Sequence, residues 1–159
     1  TLTHYNIFIM LFNIEKFNMD FAQKGDIVII HYTISFLNGK VFDTTKNKDP
    51  LKFKLGNKIF ISGLEETIEG MFIGQTIKKT IPESKGFGPK QEKLIQKFPL
   101  KDIPDHIIKR KGQRIQIETT PPLQATITDI TDDYVVLDSN PLQAGQKLNI
   151  EVQLIDIIR

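Results

Sequence analysis

Few side chains in this chain of 159 residues can do chemistry, and they stand singly. There is no cysteine, which excludes disulfides, thiolate catalysis and zinc–cysteine sites. His4, His31 and His106 are far apart in sequence, and no pair has metal-ligand spacing, so no metal site is expected. What remains is a carboxylate beside an aromatic ring. The stretch FLNGKVFDTT, Phe36 to Thr45, sets Phe42 next to Asp43 just after a turn, and the run HYT sets Tyr32 shortly before it. The pair Phe42–Asp43 has two readings: a pocket wall with a functional carboxylate, or a core residue next to an ordinary turn acid. Read alone, Tyr32 is a core tyrosine and Asp43 a turn or strand-end acid.

The elements that must position these residues follow from periodicity. Residues 27–37, IVIIHYTISFL, alternate: Val28, Ile30, Tyr32, Ile34 and Phe36 share one face, and His31, Thr33 and Ser35 the other. This is a strand with one buried face. Asn38-Gly39 signals a two-residue hairpin with positive φ at both turn positions. Leu51, Phe53 and Leu55 alternate with Lys52 and Lys54 in a further strand. Ser62 with Glu65 three residues on fits a capping box. Leu64, Ile68 and Met71 then recur at helical spacing, with Glu65, Glu66 and Glu69 on the polar side, so a short amphipathic helix is expected from near Ser62 to near Gly70. GQTIKKTIPES reads as turn and strand, and Gln91–Lys97 as a short helix. RIQIE, LQATITDI and YVVLD read as a small β meander, and KLNIEVQLIDIIR as a last strand with Leu148, Ile150, Val152 and Leu154 on one face. The whole is α+β, mostly antiparallel sheet with one helix and no βαβ repeat.

Composition narrows the function. Hydrophobic residues make up 40% and charged residues 25%, with a net charge of +2, as in one or two soluble globular domains. The basic residues are scattered, the largest cluster being Lys109-Arg110-Lys111, so no nucleic-acid partner is expected. The apolar run Ile7–Phe12 is far shorter than the roughly 20 residues of a membrane span, and a signal peptide's basic start and small-residue cleavage site are missing. Residues 1–18 are therefore read either as an extension outside the domain or as an N-terminal element packed on it. A cytoplasmic monomer is the expectation.

The order of motifs carries a resemblance. GDIVIIHYTISFLNGKVFDTT, PLKFKLG, ISGLEETIEGM and GQTIKKTIPESKGFG, in that order, resemble the FKBP-type peptidyl-prolyl cis-trans isomerases. The later DSNPLQAGQKLNIEVQLIDI resembles the ending of the SlyD-type branch, in which an insert-in-flap chaperone domain interrupts the isomerase domain. The resemblance covers about residues 24–159. It implies an antiparallel half-barrel around a short helix, with residues 19–90 and 139–159 forming the isomerase domain and 91–138 the insert.

It also implies a site. Tyr32 would supply a hydroxyl and a wall, Phe42 a second wall and Asp43 the single carboxylate. Phe53 would lie alongside, and Phe60 and Ile61 would line the rim, the Ile61 N–H donating to a substrate carbonyl. Leu64 would form the floor, Phe87 would close one side from the GFG loop, and Ile150 would complete the pocket. The partners implied are unfolded or partly folded polypeptides with X-Pro bonds, and macrolide-type inhibitors. No cofactor is implied. Phe87 stands where many members carry a tyrosine hydroxyl, Leu64 replaces a larger aromatic of some relatives, and Ser62 replaces a common proline. The histidine-rich, nickel-binding tail of some SlyD-type proteins has no counterpart, and no nickel role is expected. The first of these departures leaves an alternative open, a catalytically weak module that holds unfolded or proline-containing clients.

Overall fold

The structure is a computed structural model and describes residues 20–159. The two readings of residues 1–18 fall outside the described residues. In chain order the elements are β1 (Ile27–Phe36), β2 (Val41–Thr44), β3 (Leu51–Lys54), α1 (Ser62–Ile68), β4 (Thr76–Ile81), β5 (Ile95–Pro99), β6 (Arg114–Ile117), β7 (Leu123–Ile130), β8 (Tyr134–Asp138) and β9 (Leu148–Ile158). They divide into two compact units, one holding the described residues up to Ile81 together with Lys147–Arg159, the other Pro82–Gln146.

The first unit is an antiparallel sheet packed on α1. Its organising strand is β1, whose alternating β-branched and aromatic residues favour an extended, half-buried strand. One edge of β1 pairs with β9 along its full length. The other edge is shared in tandem, by β3 along Ile27–Ile30 and by β2 along Thr33–Ser35. β4 extends the sheet beyond β9. Val28, Ile30, Tyr32 and Ile34 point inward and meet Phe53, Leu55, Leu64, Ile68, Met71 and the inward residues of β9, including Leu148, Ile150, Val152 and Leu154.

The turn after β1 differs from its expectation. Phe36 N–H donates to the Lys40 carbonyl and Gly39 N–H to the Phe36 carbonyl, so the loop has three residues, Leu37 to Gly39. Only Gly39 has positive φ, +87°; the Asn38 carboxamide instead accepts the Lys40 N–H at 2.9 Å. A type I turn followed by one left-handed glycine matches strand twist as well as the two-residue form does.

The helix differs too. Ser62 is its first residue and Ile61 its N-cap, with no side-chain capping bond, so the Ser62–Glu65 capping box does not form. Glu65 is buried, at 9% exposure, rather than on the polar side.

The second unit is a four-stranded antiparallel sheet in the order β5-β8-β7-β6 over a core of Ile103, Ile115, Ala125, Ile127, Val135 and Leu137. The helix expected at Gln91–Lys97 is instead a 3-10 turn, Glu92–Leu94, followed by β5. Pairing of Gln96 with Leu137 and Phe98 with Val135 overrides the weak local preference, since tertiary context routinely outweighs propensity. At the base of this sheet the buried Asp138 carboxylate accepts hydrogen bonds from Lys90 Nζ at 2.6 Å and from the Asn140 backbone and carboxamide at 2.9 and 2.7 Å. Burial alone would raise the Asp138 carboxyl, but the Lys90 and Asn140 bonds and the Lys90 charge outweigh it and hold the group below the usual carboxylate range.

Two separate cores predict two separate sensitivities. Ile30→Ala in the first unit and Ile127→Ala in the second should each cost about 2–5 kcal/mol of unfolding free energy in urea titrations. Ile108→Ala, at a side chain 65% exposed, should stay within about 0.5 kcal/mol.

Candidate active site

The inner face of the first unit gathers eight of the nine residues that the sequence singles out. Tyr32 is central. Its ring is 8% exposed and meets Phe60 edge-on at 5.7 Å between centroids, and Phe60 meets Phe53 edge-on at 5.1 Å. Edge-to-face pairs of this kind fix ring orientation beyond what area burial gives. Leu64, fully buried, comes up from the first turn of α1, and Ile150, 2% exposed, lies across the sheet on β9.

Asp43 reaches this face because β2 is bulged. Ile34 pairs with Asp43 across β1–β2 and with Ile150 across β1–β9, so the three form one row. The next β1 residue, Ser35, pairs with Val41, and Phe42 is the extra residue of the bulge. In a regular strand, neighbours point to opposite faces, whereas an inserted residue resets that alternation. Phe42 and Asp43 therefore both serve the inner face: the Phe42 ring packs on Phe36 at 5.2 Å and against the core, while Asp43 Oδ2 accepts a 2.9 Å hydrogen bond from the Tyr32 hydroxyl. Asp43 is otherwise exposed, at the open side of the ring cluster.

Two residues that sequence reasoning passed over hold this arrangement. Thr45, buried at 8% exposure, accepts the Tyr32 N–H on its hydroxyl at 2.9 Å and donates its own N–H to the Tyr32 carbonyl at 3.0 Å. It thereby pins the end of β2 to the backbone of the residue whose side chain Asp43 engages. Nothing in the sequence separates Thr45 from Thr44. The other is Glu65, whose carboxylate accepts the Gly56 N–H at 3.0 Å and the Phe60 N–H at 3.1 Å. The Ser62–Glu65 spacing singled it out for a different bond.

Ile61 lies at the junction of this loop and α1. Its carbonyl accepts the Leu64 N–H at 3.0 Å, and its own N–H has no hydrogen-bond partner among the described residues. Phe87 lies in the second unit, after the 3-10 turn Glu83–Lys85, and is 43% exposed.

The electrostatics are spare. Among the described residues no group of three or more His, Asp or Glu is arranged to hold a metal ion, and no helix is long and apolar enough to cross a membrane. The Tyr32 hydroxyl is pushed up to about 12 by burial first, then by its bond to Asp43 and the charge of that carboxylate. It is therefore a neutral donor throughout the physiological range. One carboxylate, one neutral phenol, one unengaged amide N–H and a wall of rings can bind and orient an apolar group. They form no nucleophile–base pair.

An antiparallel sheet wrapped on one short helix, with this ring-lined inner face, is the FKBP-like α+β architecture. The sequence pattern of the FKBP-type peptidyl-prolyl cis-trans isomerases matches residues 19–105, and the chain belongs to that family. It is 33% identical over 154 residues to the short-type peptidyl-prolyl cis-trans isomerase of Methanocaldococcus jannaschii, covering 87% of this chain and 96% of that protein. It is 31% identical over 138 residues to the FKBP-type isomerase SlyD of Escherichia coli K12, covering 86% and 70% of the two chains. With the SlyD of Aeromonas hydrophila it shares 29% over 132 residues, or 82% of this chain and 62% of that one.

The Tyr32 environment predicts a titration. Because the neutral phenol is favoured in the fold, its stabilisation is present below about pH 10, the ordinary tyrosine value, and is lost as pH rises from there towards 12. The difference in 295 nm absorbance between wild type and Tyr32→Phe should titrate near pH 12. In Asp43→Asn the midpoint should fall only part of the way back, since burial is the larger cause.

Proposed function

We propose that the inner face of the first unit binds an X-Pro segment of a polypeptide and accelerates its cis–trans isomerisation. Tyr32, Phe42, Phe53, Phe60, Leu64 and Ile150 would grip the proline ring, and Asp43 and the Ile61 N–H would supply the polar contacts. The observation that carries this reading is the Tyr32–Asp43 hydrogen bond at the edge of an otherwise apolar cluster.

The reaction makes and breaks no covalent bond. Its barrier is the loss of amide resonance, about 18–20 kcal/mol, and X-Pro bonds populate both isomers while exchanging over tens to hundreds of seconds. A catalyst therefore has to favour the twisted amide over either planar form. A dry wall of rings holds the pyrrolidine while the preceding carbonyl swings, and removes the water that best solvates the planar amide dipole. The Ile61 N–H would hold a substrate carbonyl in every rotational state, which is uniform binding. The Asp43 carboxylate, held in place by the Tyr32 hydroxyl, would act where the charge distribution of the amide changes on twisting.

Residues 91–138 are proposed as an insert that holds unfolded chains. Support comes from the two outer strands of the second unit's sheet, β5 and β6, and from exposed apolar side chains at Ile95, Ile108 and Leu123. An open strand edge can pair with an extended client, and a tethered client meets the pocket at raised local concentration.

Two outcomes are expected. In a coupled assay on a short X-Pro peptide, Asp43→Ala should lower kcat/KM by roughly ten- to a hundredfold, the effect of one charge-assisted hydrogen bond, with the loss in kcat. A variant as fast as wild type, or a wild type no faster than buffer, would remove the enzyme reading of this site. Replacing residues 91–138 by a short loop should slow catalysed refolding of a proline-limited protein sharply while leaving peptide turnover in place. Equal refolding rates would remove the insert's proposed role.

A further inference from the structure

We propose that Glu65 is a positioning residue for the isomerase site, acting as a two-pronged clamp that fixes the loop Gly56–Phe60 and, through it, the Phe60 wall and the Ile61 N–H. The inference rests on the pocket reading above and deepens it.

The geometry is specific. Glu65 lies in the first turn of α1 and is buried, yet its side chain makes no capping bond to its own helix. Its two oxygens divide between the two ends of the loop, Oε2 to Gly56 N–H and Oε1 to Phe60 N–H. Between those ends Asn57, Lys58 and Ile59 are exposed, and Lys58 is held at a φ of +55°, a left-handed conformation uncommon for a lysine. An exposed segment carrying such a residue has little of its own to order it. The carboxylate supplies the order from inside.

The consequence falls on the next two residues. The Phe60 amide is tied to Glu65 and its ring lies edge-on against both Tyr32 and Phe53. The Ile61 carbonyl is tied to Leu64 N–H and, at 3.4 Å, to Glu65 N–H. The peptide unit between Phe60 and Ile61 is thus held on both sides by the same turn of helix, and its N–H, the one proposed to meet the substrate carbonyl, is aimed before any substrate arrives. Pre-organisation of this kind strengthens binding by removing the ordering cost.

Only a carboxylate of this length fits. Both partners are N–H donors, and an ionised carboxylate accepts on both oxygens. Glutamine offers one acceptor and one donor, so one of its ends faces an N–H with another N–H. Aspartate is one methylene shorter.

The test compares full-length wild type, Glu65→Gln and Asp43→Ala. Loosening a loop that grips the substrate equally in planar and twisted forms should raise KM about tenfold and leave kcat within about twofold, whereas the loss in Asp43→Ala falls on kcat. In NMR spectra of Glu65→Gln, the Gly56 and Phe60 amide protons should move upfield and exchange faster, while amides of the β1–β9 ladder keep their protection. A folded Glu65→Gln with KM and both resonances unchanged overturns the clamp. If Asp43→Ala also leaves the rate unchanged, the pocket reading fails as well, so the two failures are distinguishable. Should Glu65→Gln not fold, amide exchange on wild type decides: Gly56 and Phe60 amides protected well beyond those of Asn57 to Ile59 support the clamp, and equal exchange overturns it.

Discussion

Everything in the first unit hangs on β1, because it is hydrogen-bonded along both edges. β9 occupies one edge throughout, and β3 and β2 divide the other between them. A strand so placed has no freedom of register: a slip by one residue would turn Val28, Ile30, Tyr32 and Ile34 away from α1 and bring His31 and Thr33 inward. That rigidity makes the Tyr32 hydroxyl a fixed point for its bond to Asp43. The side chain stands on the buried row, while its backbone N–H and carbonyl are taken by Thr45.

The site is built by local exceptions to this regularity. The bulge at Phe42 breaks the two-residue period of β2 and sends two neighbours to one face, an aromatic to the core and an acid to the phenol. The loop before α1 is a second exception, with exposed residues and a strained Lys58 held by a carboxylate from the helix it precedes. In both places the regular frame pins a segment that would not adopt its conformation alone. Catalysis of a bond rotation suits such a frame, since it calls for fixed walls and fixed dipoles rather than for groups that exchange protons.

Both units carry large apolar side chains at the surface. The first exposes Phe21, Leu37, Val41, Ile59 and Ile73 around a core packed between sheet and helix. The second has a core of mostly small and β-branched side chains and carries Ile95, Ile108 and Leu123 at the surface. What sets the second unit apart is a small sheet with two outer strands, the feature on which the proposed holding of extended chains rests.

The sequence by itself determined the strands β1, β3 and β9, the single helix and the apolar faces of each, because a period of two or of 3.6 residues is written directly in residue types: Val28, Ile30 and Ile34 in one strand, Leu64 and Ile68 in the helix. Its motif order also picked out the family and the residues of the inner face. Tertiary structure alone decided three things. β5 is a strand because it pairs with β8, Phe98 opposite Val135, far along the chain and beyond the reach of a local pattern. Phe42 and Asp43 share a face because a bulge forms against Ile34 and Ser35, a matter of register between strands. Glu65 is a buried clamp and not a cap because Gly56 and Phe60 come to lie over the first turn of α1 and present two N–H groups to its carboxylate. Periodicity tells which way a side chain points; which donors and acceptors it meets there is fixed only when distant segments are brought together.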